Sequence, residues 1–165
     1  MSKTEENLRK AFAGECQASV RYTAFAQKAD AEGYPGAARL FRAAAQAEVV
    51  HALSHLNALG DVNGTEKNIE AACEGESFEF KTMYPAMVKD AVEENNIEAR
   101  HSLEYAMSIE MVHHQLFKKA LEKESLNPNA DAYYVCPVCG YTVANAAPKK
   151  CPYCGVDEKR FMRIE

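Results

Sequence analysis

Glu48-Val49-Val50-His51 and Glu110-Met111-Val112-His113 are two copies of one pattern. Residues i and i+3 lie on one face of an α-helix, with Cβ atoms about 5–6 Å apart. Each copy therefore points a carboxylate and an imidazole the same way. Upstream of each copy, at 33 and 34 residues, stands a further glutamate, Glu15 before Glu48 and Glu76 before Glu110. The chain thus repeats a unit: one helix with an inward glutamate, then one with Glu-x-x-His.

The residues around these motifs continue the helical period. Phe12, Glu15, Ser19, Tyr22 and Ala26 form one stripe; Phe41, Ala44, Glu48, His51 and His55 form a second. Cys73, Glu76, Phe80, Met83 and Met87 form a third, with Glu79 close to Glu76; Leu103, Ala106, Glu110, His113 and Phe117 form a fourth. The spacing predicts helices over about 4–31, 37–59, 65–94 and from the Asn95-Asn96 break to about Glu124. Glu32-Gly33-Tyr34-Pro35-Gly36 stops the first, Gly60-Asp61-Val62-Asn63-Gly64 separates the second from the third, and Thr65 is the expected cap of the third. Short connections make the first and second helices, and the third and fourth, antiparallel neighbours. These neighbours combine into an up-down four-helix bundle, with a crossover connection as the alternative.

Carboxylates on inward stripes are costly. Burying one uncompensated charge costs several kcal/mol even after relaxation. A lone Glu-x-x-His is common on helices, and a lone histidine on an apolar face is ordinarily a hydrogen-bonded core residue. Two matched copies, each with its own upstream glutamate, point instead to cations that compensate the charge. A glutamate from each of two helices and Glu-x-x-His from the other two is the ligand set of ferritin-like di-metal carboxylate bundles. Hard oxygens with two imidazoles suit iron or manganese and would accept zinc.

After Asp131 the composition changes to Tyr, Val, Pro, Gly and Cys. Cys136-x-x-Cys139 and Cys151-x-x-Cys154, 11 residues apart, have the spacing of a tetrahedral thiolate site, and Gly140 and Gly155 follow the second cysteine of each pair. So short a segment cannot bury a sufficient core, and a bound metal is expected to hold it folded. Spacing alone favours zinc; disulfides are the weakest reading. The expected domains are a helical bundle over 1–125, a linker over 126–130 and a metal domain over 131–165.

The remaining composition excludes several classes. The net charge is −5, from 19 basic and 24 acidic residues, and no basic block offers a footprint for nucleic acid. No uncharged apolar run is long enough for a membrane span. The polar N-terminus shows no secretory signal, so a cytoplasmic location is expected.

The order of these segments resembles the rubrerythrin family. The resemblance is carried by Phe12-Ala13-Gly14-Glu15-Cys16-Gln17-Ala18, Arg21-Tyr22, Glu48-x-x-His51, Gly75-Glu76-Ser77-Phe78-Glu79-Phe80, Met83-Tyr84-Pro85, Glu110-x-x-His113, Cys-x-x-Cys-Gly and Cys-Pro-x-Cys-Gly, and it spans nearly the whole chain. It implies an all-α ferritin-like bundle with a small, mostly β, rubredoxin-like domain. It implies three irons per chain, two in a di-iron centre and one on Cys136, Cys139, Cys151 and Cys154, with zinc as a substitute.

The resemblance also assigns roles. Glu15 and Glu76 become terminal ligands, Glu48 and Glu110 bridging ones, and His113 the ligand of the second iron. Glu79 exchanges with His51 on the first iron when the centre is reduced. Charge counting fits this exchange, because five glutamates match two ferric ions better than two ferrous ones. Tyr22 and Tyr84 are implied near the irons, as hydrogen-bond partners of a ligand or of bound oxygen species; the alternative is two half-buried tyrosines with satisfied hydroxyls. Cys16 and Cys73 read as small core residues. The implied activity is reduction of hydrogen peroxide, with electrons from rubredoxin or an NAD(P)H-dependent reductase, in oxidative-stress protection. The implied assembly is a homodimer, and the sequence leaves open whether helices are exchanged between protomers. Ferroxidase or iron-storage activity is the alternative, and a zinc-ribbon interaction module without catalysis is a third reading.

Overall fold

The structure, a computed structural model, describes residues 1–122 and 132–165. The expected end of the last helix near Glu124 and the expected linker fall outside the described residues. The chain divides into two compact units, Met1–Asn63 and Gly64–Glu165.

The first unit is a helical hairpin of α1 (Lys3–Ala31) and α2 (Pro35–Leu59). Ser2 caps α1, its side chain accepting a hydrogen bond from the Glu5 amide. Gly33, at φ +81°, takes the left-handed conformation that reverses the chain, and Pro35 opens α2 shortly after, where its missing N–H costs nothing. Ala38, Ala45 and Ala52 recur every seven residues and are all buried, as are Ala26 and Ala29 on α1. Small residues at this interval let the two helices approach closely. Phe25, Phe41 and Tyr22 form an aromatic cluster with ring centroids 5.5–6.3 Å apart. Arg42–Asp30 and Arg9–Asp61 ion pairs tie α2 and its C-terminal loop to α1.

In the second unit, α3 (Thr65–Phe78) and α4 (Tyr84–Glu93) run against α5 (Ile97–Glu122). The third predicted helix is not one regular α-helix. Residues Glu79–Met83 form a π-helical turn between α3 and α4. Such a turn accommodates an extra residue and shifts the phase of the helix beyond it. The expected stripe therefore breaks: Met87 is exposed, and Tyr84, Val88 and Ala91 turn inward instead. Nor does Thr65 cap α3. Gly64, extended at φ −62° and ψ 154°, holds the capping position and Thr65 is the first helical residue. Asn95, at φ +56°, closes α4, and the Asn96 side chain accepts from the Ala99 amide to start α5.

The C-terminal segment forms a three-stranded antiparallel sheet, β1 (Tyr133–Val135), β2 (Thr142–Ala144) and β3 (Met162–Ile164), in the order β2-β1-β3. Val135 pairs with Thr142 on one side and Met162 on the other. No helix among the described residues is long and apolar enough to cross a membrane.

Candidate metal centres

In the first unit, Glu15 of α1 meets Glu48 and His51 of α2, with donor atoms within 4.8 Å of one another. In the second, Glu76 of α3 meets Glu110 and His113 of α5 within the same distance. The two Glu-x-x-His motifs have one geometry: His51 Nδ1 lies 2.8 Å from Glu48 Oε2, and His113 Nδ1 lies 2.8 Å from Glu110 Oε2. In both, Nδ1 is the nitrogen turned to the carboxylates.

The carboxylates are shielded but not buried. Glu48, Glu76 and Glu110 keep 16–20% of their side-chain surface exposed. The expectation of buried glutamates is thus corrected, since an acid so placed keeps some hydration. The two histidines differ, His51 being 56% exposed and His113 only 26%.

The second cluster behaves electrostatically as a site prepared for a cation. Glu76 is pushed up to about 7, first by loss of hydration, then by a hydrogen bond to Glu110 and the charges of Glu110 and Glu79. Glu79 lies on the π-helical turn outside the three-donor cluster, yet it feels the same field: burial and then Glu110 raise it, with His113 opposing. Burial followed by the charges of Glu110, Glu79 and Glu76 raises the Tyr84 phenol, which places Tyr84 among these acids. Tyr22, on α1, packs its ring against Phe25 and Phe41.

A cavity of about 480 Å³ within the second unit is lined by Ile69, Leu116, Phe117 and Tyr133, with Glu76 and His113 among its few polar walls.

The four cysteines come together as the spacing required. Cys136 Sγ and Cys154 Sγ are 3.5 Å apart, as are those of Cys139 and Cys151. A tetrahedron with metal–sulfur bonds of about 2.3 Å has edges of about 3.8 Å, so the cradle nearly fits a metal as it stands. A disulfide needs about 2.05 Å, and all six cysteines are free. Two matching turns build the cradle. Gly140 N–H donates to Cys136 O at 3.0 Å and Gly155 N–H to Cys151 O at 2.9 Å, with both glycines at φ near +80°. Burial would raise Cys136, but amide donors from Cys139 and Val138, together with the neighbouring Cys154 and Cys139 thiols, bring it down to about 7. Cys139 and Cys154 are raised, by burial first. Four thiols this close resist losing all their protons together, so a cation that replaces those protons would complete the site.

Two features escaped the sequence reading. Cys73 and Cys16 are half-buried, and Cys73 Sγ sits 3.3 Å from His114 Nδ1. The Thr142 hydroxyl contacts His113 from 29 positions away. Helical periodicity could have paired α3 with α5, but nothing in the sequence foretells the second contact.

The comparisons with known proteins agree with this geometry. The rubrerythrin family model matches residues 6–121, and the model of the rubrerythrin rubredoxin-like domain matches residues 134–162. Rubrerythrin-2 of Clostridium acetobutylicum is 35% identical, over 96% of this chain and 95% of its own. Nigerythrin of Nitratidesulfovibrio vulgaris is also 35% identical, over 93% of this chain and 83% of its own. Solved structures of nigerythrin, one partially reduced and one fully reduced and all ferrous, each match with a TM-score of 0.59 and 32% identity over 99% of this chain and 87% of theirs. The helical part is accordingly ferritin-like, the C-terminal sheet with its cysteines is rubredoxin-like, and iron is the metal that suits both kinds of donor set. On the strength of family models that match both its helices and its cysteine-rich segment, the chain belongs to the rubrerythrin family.

Proposed function

We propose that this chain is a non-haem di-iron peroxidase that reduces hydrogen peroxide to water in the cytoplasm, as a protection against oxidative stress. The observation that carries the reading is the pairing of two three-donor clusters, each with two carboxylates and one imidazole, with a four-thiolate cradle in one chain. A ferroxidase has no need of the thiolate site.

Reduction of hydrogen peroxide consumes two electrons and two protons and yields two waters. Iron, when bound, supplies the electrons that break the O–O bond. In this reading iron would be held by the two three-donor clusters, with Glu15 and Glu76 as terminal ligands, Glu48 and Glu110 as the bridging ones and His113 as a nitrogen ligand. Glu79 and His51 would be the exchangeable ligands; the exposure of His51 and the place of Glu79 just outside the three-donor cluster suit groups that move. Tyr84, whose phenol burial and the neighbouring acids make still harder to ionise, donates a hydrogen bond into the site, and Tyr22 does so from α1. The cavity beside Glu76 and His113 admits peroxide.

Cys136, Cys139, Cys151 and Cys154 would hold the third iron, which would supply one-electron relay chemistry for a donor such as rubredoxin or an NAD(P)H-dependent reductase. The working form is a homodimer, with a bundle domain over 1–125 and a metal domain over 131–165 joined by a linker. The test is anaerobic turnover of the iron-loaded protein with such a donor system. Consumption of one NAD(P)H per hydrogen peroxide supports the reading. Oxidation of added ferrous iron without peroxide consumption would move it to iron storage.

A further inference from the structure

His113 is held from both sides. On one, Nδ1 faces Glu110 at 2.8 Å and Glu76 at 3.8 Å. On the other, Nε2 lies 3.0 Å from the hydroxyl oxygen of Thr142, the first residue of β2. The same hydroxyl lies 3.0 Å from the carbonyl oxygen of Gly140 and donates to it. A threonine hydroxyl has one proton and two lone pairs. With its proton committed to Gly140, Thr142 can only accept from His113. The imidazole therefore carries its proton on Nε2 and leaves the Nδ1 lone pair facing the carboxylates, where a metal would be held.

Gly140 is the residue at which the first cysteine turn reverses, directly after Cys139. Its backbone is also close to α5, since a Cβ placed there would stand 3.7 Å from Ile109 Cγ2. The chain Gly140–Thr142–His113 thus links the thiolate cradle to the carboxylate cluster inside one unit. His51, the counterpart of His113, is twice as exposed. The repeat is symmetric in its Glu-x-x-His motifs and asymmetric in how its histidines are supported.

We propose that Thr142 is a positioning residue of the carboxylate metal site: it fixes the tautomer and ring angle of His113 and ties them to the first cysteine turn. The inference rests on the reading of His113 as a metal ligand. Groups that orient a ligating histidine are worth about 10–100-fold in metal affinity.

The test uses full-length protein whose four-cysteine site is already filled with zinc. Zinc affinity at the carboxylate site is measured by chelator competition for the parent, Thr142→Val and Thr142→Ser. Nitrogen-15 NMR of labelled histidines in the zinc-loaded proteins follows water exchange of the His113 Nε2 proton. Thr142→Val, which keeps the shape but loses the hydroxyl, should bind zinc about 10–100-fold more weakly and exchange that proton faster. Thr142→Ser should restore both. Parent-like affinity and exchange in Thr142→Val would overturn the inference alone, as would an equal loss in Thr142→Ser. A parent that binds no metal beyond its cysteines would instead overturn the ligand reading and this inference with it.

Discussion

Metal uptake at the Glu76 cluster should expel protons in an amount set by pH. Glu76 stands near 7 in the metal-free protein, against an ordinary value of 4.5. A carboxylate binds a cation only when ionised, so the proton it holds must leave. From this group alone the release is about 0.9 proton at pH 6, about 0.5 at pH 7 and about 0.1 at pH 8. Below pH 7 the apparent affinity should fall by up to about tenfold per pH unit. Titration calorimetry in buffers of different ionisation enthalpy measures the release directly, with the four-cysteine site filled beforehand. Glu76→Gln, which has no proton to lose there, should release correspondingly less at pH 6 and the same at pH 8. Stability changes with pH in a fixed direction. Because the folded value lies above the unfolded one, the metal-free protein loses stability as pH rises from about 4.5 through 7, and added metal should raise its melting temperature more at pH 8 than at pH 6. Release from the parent that is flat between pH 6 and 8, or equal to that of Glu76→Gln at pH 6, would refute the assignment.

Three substitutions probe other parts of the structure. Cys139→Ser opens the thiolate cradle; the visible ferric–thiolate absorption should vanish while far-ultraviolet dichroism keeps its helical intensity. Asn96→Ala removes the side-chain cap of α5 and should cost about 1 kcal/mol, read as a lower midpoint in urea with an unchanged slope. Ala45→Leu forces a large side chain between α1 and α2, where Ala45 is 7% exposed; overpacking of about 1–3 kcal/mol is expected, and an unchanged melting temperature would mean the two helices do not meet at this alanine.

The helices and the local pairings within all three donor clusters were legible in the sequence for one reason: their residues obey short-range periods. Glu48 and His51, or Glu110 and His113, meet because three residues nearly complete a helical turn, and the cysteine pairs meet because Gly140 and Gly155 can reverse the chain. What stayed hidden depends on single backbone choices or distant pairings. The π-helical turn at Glu79–Met83 has no residue signature, yet it turns Met87 outward and Tyr84 toward the acids. The partial exposure of Glu48, Glu76 and Glu110 is likewise a property of how the helices meet, which stripe patterns report only as inward or outward. Thr142 lies on a strand and His113 on a helix, and no local rule joins them.

The most direct test of peroxide reduction is rapid-mixing spectroscopy of the fully reduced, iron-loaded protein. One portion is mixed anaerobically with about one equivalent of hydrogen peroxide and another with air-saturated buffer. If peroxide is the oxidant, the ferric–thiolate colour of the four-cysteine site should return fast with peroxide and slowly with oxygen, as electrons from that site would refill the carboxylate site. Equal slow return with both oxidants, or no return with peroxide, would contradict it.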